Sequence, residues 1–81
     1  MTDAEPGASG PVAFLRSAPM GMRVVIRYRL PDGMATDVLG FVSASDETAI
    51  VVASTRGLET VQYDTVVAAK EVPPPPTRRD R

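Results

Sequence analysis

The sequence contains no cysteine and no histidine, and these two absences exclude several kinds of site. Without cysteine, the chain of 81 residues has no disulfide bridges and no thiolate ligands for a metal. Without histidine, it lacks the commonest general base and the commonest metal ligand of proteins. Serine and threonine hydroxyls have no imidazole to activate them. We therefore predict that the chain is not an enzyme, with no catalytic residue, no metal and no cofactor.

Excess charge, long apolar runs and aromatic residues are also scarce. The net charge of -1 gives no overall attraction to nucleic acid or to anionic membranes. No apolar run approaches the roughly 20 residues of a membrane-spanning helix, and the polar start is not a secretory signal. Two tyrosines, two phenylalanines and no tryptophan barely supply a core, and leave little for an aromatic-lined groove. We expect a cytoplasmic domain that does not bind membranes.

The two ends of the chain differ in composition from its centre. Residues 1–13 are small, polar and glycine-containing, which predicts a disordered lead-in. Residues 73–81 read PPPPTRRDR, a Pro/Arg-rich tail that favours polyproline II. The tail is either a linker stub or a ligand for a proline-reading domain. Residues 14–72 are predicted to fold. Residues 11–18, which overlap the start of this range, are predicted to form one helical turn or an extended arm.

Apolar residues at every second position between residues 22 and 30 predict a half-buried strand. The turn PDG at 31–33 returns the chain into a second strand over 35–44, in which Gly40 marks a bend or bulge. Three further strands are predicted over 48–55, 58–62 and 66–70. These short strands and tight turns predict an all-β fold, a five-stranded antiparallel SH3-like barrel, with a partly open OB-like barrel as the alternative.

The alternation in these strands also predicts a core. Aspartates at 32, 46 and 64 fall in the turns, where their side chains are expected to bond backbone amides and not to act as acids or bases. The predicted core residues are Val24, Ile26, Tyr28, Leu30, Val38, Leu39, Phe41, Ile50, Val52, Val61 and Val67.

Three arginines on the outer side of the first strand, Arg23, Arg27 and Arg29, are the candidate binding surface. In one interpretation they form a basic stripe that meets phosphates or an acidic partner. In the other they are solvated residues that pair across the sheet with carboxylates, of which the candidates are Asp37, Glu59 and Glu71. The balanced net charge, and the expectation that no aromatic residue is interleaved on this face, favour the second interpretation.

Five short motifs occur in a fixed order: GMRVVIRYRLPDG at 21–33, TDVLG at 36–40, RG at 56–57, VVAAK at 66–70 and VPP at 72–74. Together they resemble the SH3-like domain at the N-terminus of certain actinobacterial GNAT-family acetyltransferases, over about residues 14–76. In that family a proline-containing linker and the catalytic domain follow the barrel. The resemblance therefore implies an accessory domain joined to, or associated with, an acetyltransferase.

The sequence departs from that family at its C-terminal side. It contains no Arg/Gln-x-x-Gly-x-Gly/Ala segment, whose backbone amides would bind the pyrophosphate of acetyl-CoA. The chain is thus expected to be either a stand-alone relative of the barrel or a barrel separated from its catalytic partner. We predict a non-catalytic module that docks on an acetyltransferase domain or another protein. The alternative is a nucleic-acid-binding barrel that uses Arg23, Arg27 and Arg29.

Overall fold

One short helix and five strands make up the part of the chain that the computed structural model describes, residues 10–73. In chain order these elements are α1 (Pro11–Ser17), β1 (Arg23–Arg29), β2 (Ala35–Ser45), β3 (Ala49–Ser54), β4 (Gly57–Gln62), a 3₁₀ helix (Tyr63–Thr65) and β5 (Val66–Glu71). The strands form a five-stranded antiparallel sheet in the order β4-β3-β2-β1-β5. The all-β, barrel-like prediction is confirmed. The predicted disorder of residues 1–9 and 74–81 lies outside the described residues.

Strand β1 has the predicted alternation. Val24 and Ile26 are fully buried, whereas Arg27 and Arg29 are exposed. The turn that follows is built as its residue types require: Gly33 has a φ of 90°, and its N–H donates to the Leu30 carbonyl at 2.9 Å. The β1–β2 hairpin therefore has a single register, which places the inner and outer faces of both strands.

Strand β2 pairs with both β1 and β3, and Gly40 is the residue at which pairing with β3 begins. Residues 35–39 pair with β1 alone, and pairing with β3 begins at Gly40, opposite Ser54. A Cβ at Gly40 would overlap the Ala53 carbonyl and lie 2.7 Å from a methyl of Val52. Only glycine lets the backbones of β2 and β3 approach this closely.

Two residues of β2 that were predicted to be in the core, Leu39 and Phe41, are exposed by 44% and 48%. This part of the prediction is wrong, because side chains alternate strictly between the two faces of a strand. Val38 and Val42 are buried, so the residues between them at odd positions face outward. The apolar character of all four residues hid the true phase of the strand.

Val67 was also predicted to be buried and is 43% exposed. Arg27 pairs with Ala68, but the next residue, Tyr28, pairs with Val66, so the register shifts by one. Val67 is the extra residue of this bulge and is left out of the ladder. A bulge of this kind leaves no periodic signal in so short a strand.

Helix α1 extends the core beyond the strands. Leu15 is fully buried in the hydrophobic cluster, which confirms the helical alternative for this segment. The guanidinium of Arg16 lies 4.7 Å from the centre of the Tyr63 ring and donates to the Glu47 carbonyl at 2.8 Å. The helix begins at Pro11 and so lies across the predicted boundary at residue 14.

Candidate functional site

The outer faces of β1 and β2 carry the candidate site, since the predicted arginines share a surface with the β2 residues opposite them. Arg23 lies opposite Phe41, and Arg27 lies opposite Asp37. The same register places Arg29 opposite Ala35 at the far end of the hairpin. Because the strands pair antiparallel, directly opposite residues point to the same side of the sheet.

Arg27 is engaged by a carboxylate of the neighbouring strand. Its Nη1 lies 3.1 Å from Oδ1 of Asp37, and the two side chains are 52% and 54% exposed. Of the three carboxylates named as candidate partners, Asp37 is therefore the one that pairs. Glu59 lies opposite Val52 and Glu71 opposite Val24, which places both on the inner side of the sheet. Arg27 thus forms the cross-strand pair that the second interpretation expects, and its part in a binding surface stays a prediction.

Arg23 fixes the point where the chain leaves the sheet. Its Nη1 donates to the Pro73 carbonyl at 2.9 Å, and its own carbonyl accepts from the Val72 N–H at 2.8 Å. These two bonds hold Val72 and Pro73 against the first residue of β1. Arg23 is half-buried and has a structural partner, so it differs from the other two arginines.

Arg29 is exposed and, within residues 10–73, its guanidinium forms no hydrogen bond or ion pair. It lines an open cleft of about 360 Å³ together with Leu30 and residues of the 3₁₀ helix. The three arginines therefore lie on one strand face as predicted but are not equivalent. Arg23 is bonded to Pro73, Arg27 is paired with Asp37, and Arg29 lines the cleft of about 360 Å³.

A continuous apolar strip crosses the same outer face. We call it the outer apolar patch and define it as Val25, Leu39, Phe41, Ala53 and Leu58. Val25 lies opposite Leu39, Phe41 opposite Ala53, and Ala53 opposite Leu58, so the strip runs from β1 across β2 and β3 to β4. Leu58 is 71% exposed, which makes it the most exposed member.

Sequence patterns alone do not reveal the outer apolar patch, because they place its β2 members, Leu39 and Phe41, in the core. Phe41 also corrects an argument about the arginines, since an aromatic residue was expected to be missing from their face and this ring lies directly opposite Arg23. The signal available in the sequence was the parity of β2. Gly40 aligns with Val38 and Val42, and a consistent period of two would have placed Leu39 and Phe41 outside.

Two of the three turn aspartates, Asp32 and Asp46, have the structural role that the sequence predicts. Asp46 Oδ1 accepts from the N–H groups of Thr48 and Ala49 at 2.8 and 2.9 Å, and from the Thr48 hydroxyl at 3.2 Å. These hydrogen bonds, those from the backbone first, hold the pKa of Asp46 below its usual value. Asp32 accepts from the Met34 N–H at 2.9 Å. At the 3₁₀ helix the Thr65 hydroxyl, and not the predicted Asp64, forms the bond to the backbone: it donates to the carbonyl of Gln62, the last residue of β4, at 2.7 Å.

Residues 10–73 contain neither a cluster of metal-ligating side chains nor a membrane-spanning helix. No group of three or more acidic side chains is gathered there in a way that could hold a metal ion. The helix in this part of the chain, α1, has seven residues, and no helix here has the length and apolar character needed to cross a membrane.

Comparison with known proteins identifies the family. No curated protein and no solved structure matches the chain. Residues 18–70 match the family model described as the Rv0428c N-terminal Sm-like domain. The matched range contains β1 to β4, most of β5 and the whole outer apolar patch. The association with GNAT acetyltransferases stays a prediction. Because the match spans well over half of its length, the chain belongs to the family of Rv0428c N-terminal Sm-like domains, which are small β domains.

Proposed function

We propose that the protein is a non-catalytic, cytoplasmic docking module that binds a partner protein through the outer apolar patch. A small Sm-like β domain can mediate protein or RNA binding. The observation that favours protein is the continuity of the patch, in which Leu39, Phe41 and Leu58 are each more than two-fifths exposed. Contiguous exposed apolar surface on a soluble domain marks an interaction site more often than scattered apolar residues do.

The partner that we propose is an acetyltransferase domain of the GNAT type. The motif order described above supports this choice, because it resembles barrels that precede such domains. The position of Pro73, where the chain leaves the sheet, supports this partner as well. The Pro73 carbonyl is bonded to Arg23, which lies opposite Phe41, so the proline run starts beside the outer apolar patch. A domain tethered there would meet the patch at high effective concentration.

The test uses the 81-residue protein and the catalytic domain of a GNAT acetyltransferase from which a barrel of this type has been removed. Isothermal titration calorimetry measures the affinity of the two separate chains. Replacing a buried aromatic anchor at an interface commonly costs more than tenfold in affinity. We therefore expect Phe41→Ser to weaken binding by about tenfold or more.

Met34→Ser is the matched control. Met34 is 63% exposed and lies in the β1–β2 turn, outside the outer apolar patch. The control should bind like the unmodified protein. Absence of binding to the acetyltransferase domain would reject this partner, and equal binding by Phe41→Ser and the unmodified protein would reject this face.

A second candidate function is binding of single-stranded RNA, and the position of Phe41 favours it. Single-strand binding combines cationic side chains that follow the phosphates with aromatic rings on which bases stack. Phe41 lies opposite Arg23, and Arg29 has no partner within residues 10–73. Against this function, Arg23 and Arg27 are already engaged by Pro73 and Asp37.

The two candidate functions separate through Arg29. Fluorescence anisotropy with a labelled twelve-nucleotide RNA would show binding that falls steeply with salt if phosphates are contacted. Arg29→Ala should then weaken RNA binding while leaving the protein partner unaffected. Phe41→Ser weakens both, so it cannot discriminate between them. No binding of RNA at low salt would eliminate the second candidate.

A further inference from the structure

A cleft of about 430 Å³ opens where β2 extends beyond β3. Pairing between β2 and β3 stops at Gly40 and Ser54, so residues 35–39 have β1 on one side and the cleft on the other. The opposite wall comes from the β3–β4 turn and from Glu59 of β4. The volume is in the range of sites that hold a side chain or a small ligand.

The backbone of β2 has hydrogen-bonding groups that point toward this cleft. The Leu30 N–H donates to Met34 and the Val42 N–H donates to Met22, so even-numbered residues of β2 bond toward β1. In an antiparallel ladder the alternate residues point their N–H and C=O groups the other way. For Asp37 and Leu39 that direction is the cleft, and within residues 10–73 the turn beyond Ser54 supplies no backbone partner.

Glu59 gives the cleft a distinctive charge. It is half-buried, whereas the other carboxylates of residues 10–73 are exposed, and it lies opposite the buried Val52 on the inner face of the sheet. Its hydrogen bond in this part of the chain comes from the Ser54 hydroxyl at a long 3.4 Å, with no cation within 4.0 Å. A carboxylate withdrawn from water gains strongly from a cationic partner.

Tyr28 completes the inner wall. It is half-buried and lies opposite Thr36, on the same side of the sheet as Ile26. Tyr28 and Glu59 both line this cleft. An aromatic ring together with a carboxylate suits an alkylammonium or guanidinium group.

We propose that this cleft binds an extended segment of a partner protein, which pairs with β2 at Asp37 and Leu39 and places a lysine or arginine side chain against Glu59 and Tyr28. Strand addition supplies affinity through backbone bonds, and the inward side chain supplies specificity. Arg56 also lines the cleft, and as a like charge it should weaken the binding of a basic side chain. This site would use the backbone groups of Leu39, whereas the outer apolar patch uses its side chain, so the two proposals are tested separately.

The test uses capped five-residue peptides with a central lysine or a central norleucine flanked by valines. Titration of the ¹⁵N-labelled protein is followed by amide chemical shifts. Strand addition should shift the amides of Asp37 and Leu39 together with those of Ser54 and Glu59. The lysine peptide should bind about tenfold more tightly than the norleucine peptide, because it alone forms a charge-assisted bond.

Three variants complete the design. Glu59→Gln should remove the preference for lysine, whereas Glu47→Gln, an exposed glutamate outside the cleft, should keep it. Arg56→Gln should strengthen binding by about two- to threefold, as removal of an exposed like charge does. Unshifted Asp37 and Leu39 amides, equal affinities for both peptides, or weaker binding by Arg56→Gln would each overturn the proposal. Glu59 would then serve as an inward charge that protects edge strand β4 from aggregation.

Discussion

Strands β1 and β2 are neighbours with similar inner faces and different outer faces. Inside, Ile26 of β1 lies opposite Val38 of β2, and both are buried. Outside, β1 presents arginines, whereas β2 presents Leu39 and Phe41. A charged outer face is well solvated and needs no partner. An apolar outer face leaves apolar area exposed to water, and this costs free energy unless another surface covers it. Under the proposed docking function, β2 therefore supplies more of the partner-binding surface than β1 does.

The largest effect should separate the two faces of this hairpin. Ile26→Ala removes a fully buried side chain from the small core and should lower the free energy of unfolding by about 3 kcal/mol. Leu39→Ala, on the outer face of the adjacent strand, should cost below about 1 kcal/mol. Urea denaturation followed by circular dichroism measures both. Equal losses for the two variants would contradict the assignment of Leu39 to the outer face.

The second effect tests why β2 carries a glycine at its centre. Gly40→Ala places a Cβ against the Ala53 carbonyl, so β2 and β3 must separate. We expect a loss of about 2 kcal/mol in the free energy of unfolding, as for other overpacked sites. The control Ser43→Ala, exposed on the same strand, should change it by less than about 0.5 kcal/mol. A Gly40→Ala protein as stable as the control would show that the strands have room at this point.

The contrast between β1 and β2 also explains what could be predicted from sequence. In β1, arginines at alternate positions mark the wet side, so the phase of the strand is unambiguous. In β2, Val38 and Leu39 are apolar neighbours, and hydrophobicity alone cannot choose between them. Local patterns predicted the number of strands, the turns and the pairing of Arg27 with a carboxylate of the neighbouring strand. The outer apolar patch depends on the register between strands, which local patterns do not encode.

Two other features, the bulge at Val67 and the cleft beside Glu59, also depend on inter-strand register and could not be predicted from local sequence patterns. The bulge that exposes Val67 arises from a register shift against Arg27 and Tyr28, which lie about forty positions away in the chain. The cleft beside Glu59 exists because β3 stops pairing with β2 at Gly40. Both features depend on the register between strands. Neither Val67 nor Glu59, taken within its own short strand, indicates them.

The third effect concerns the turns at the two ends of β2. Asp32 accepts one backbone bond before the strand, whereas Asp46 accepts three bonds after it. Because these bonds hold the folded-state pKa of Asp46 below its usual value of 3.8, its contribution to stability is present above that pH. The contribution is lost as the pH falls through the folded-state pKa.

Asp46→Asn should therefore remove part of the acid sensitivity of the fold. Thermal unfolding of the unmodified protein and the variant is compared at pH 7 and near pH 3. The difference in midpoint temperature between the two proteins should be larger at pH 7, where the carboxylate is charged and accepts its bonds, than near pH 3. An equal difference at both pH values would contradict the role of the charge.

The smallest effect is expected at the ion pair between Arg27 of β1 and Asp37 of β2. Arg27 and Asp37 are both more than half exposed, so water and salt screen their attraction. A double-mutant cycle with Arg27→Ala and Asp37→Ala should give a coupling of about 0.5 kcal/mol, which decreases in 1 M salt. A coupling well above about 1 kcal/mol would show that the pair stabilises the hairpin. A weak coupling means that Arg27 can leave Asp37 at little cost, so any loss of RNA binding in Arg27→Ala would report a lost phosphate contact and not a damaged fold.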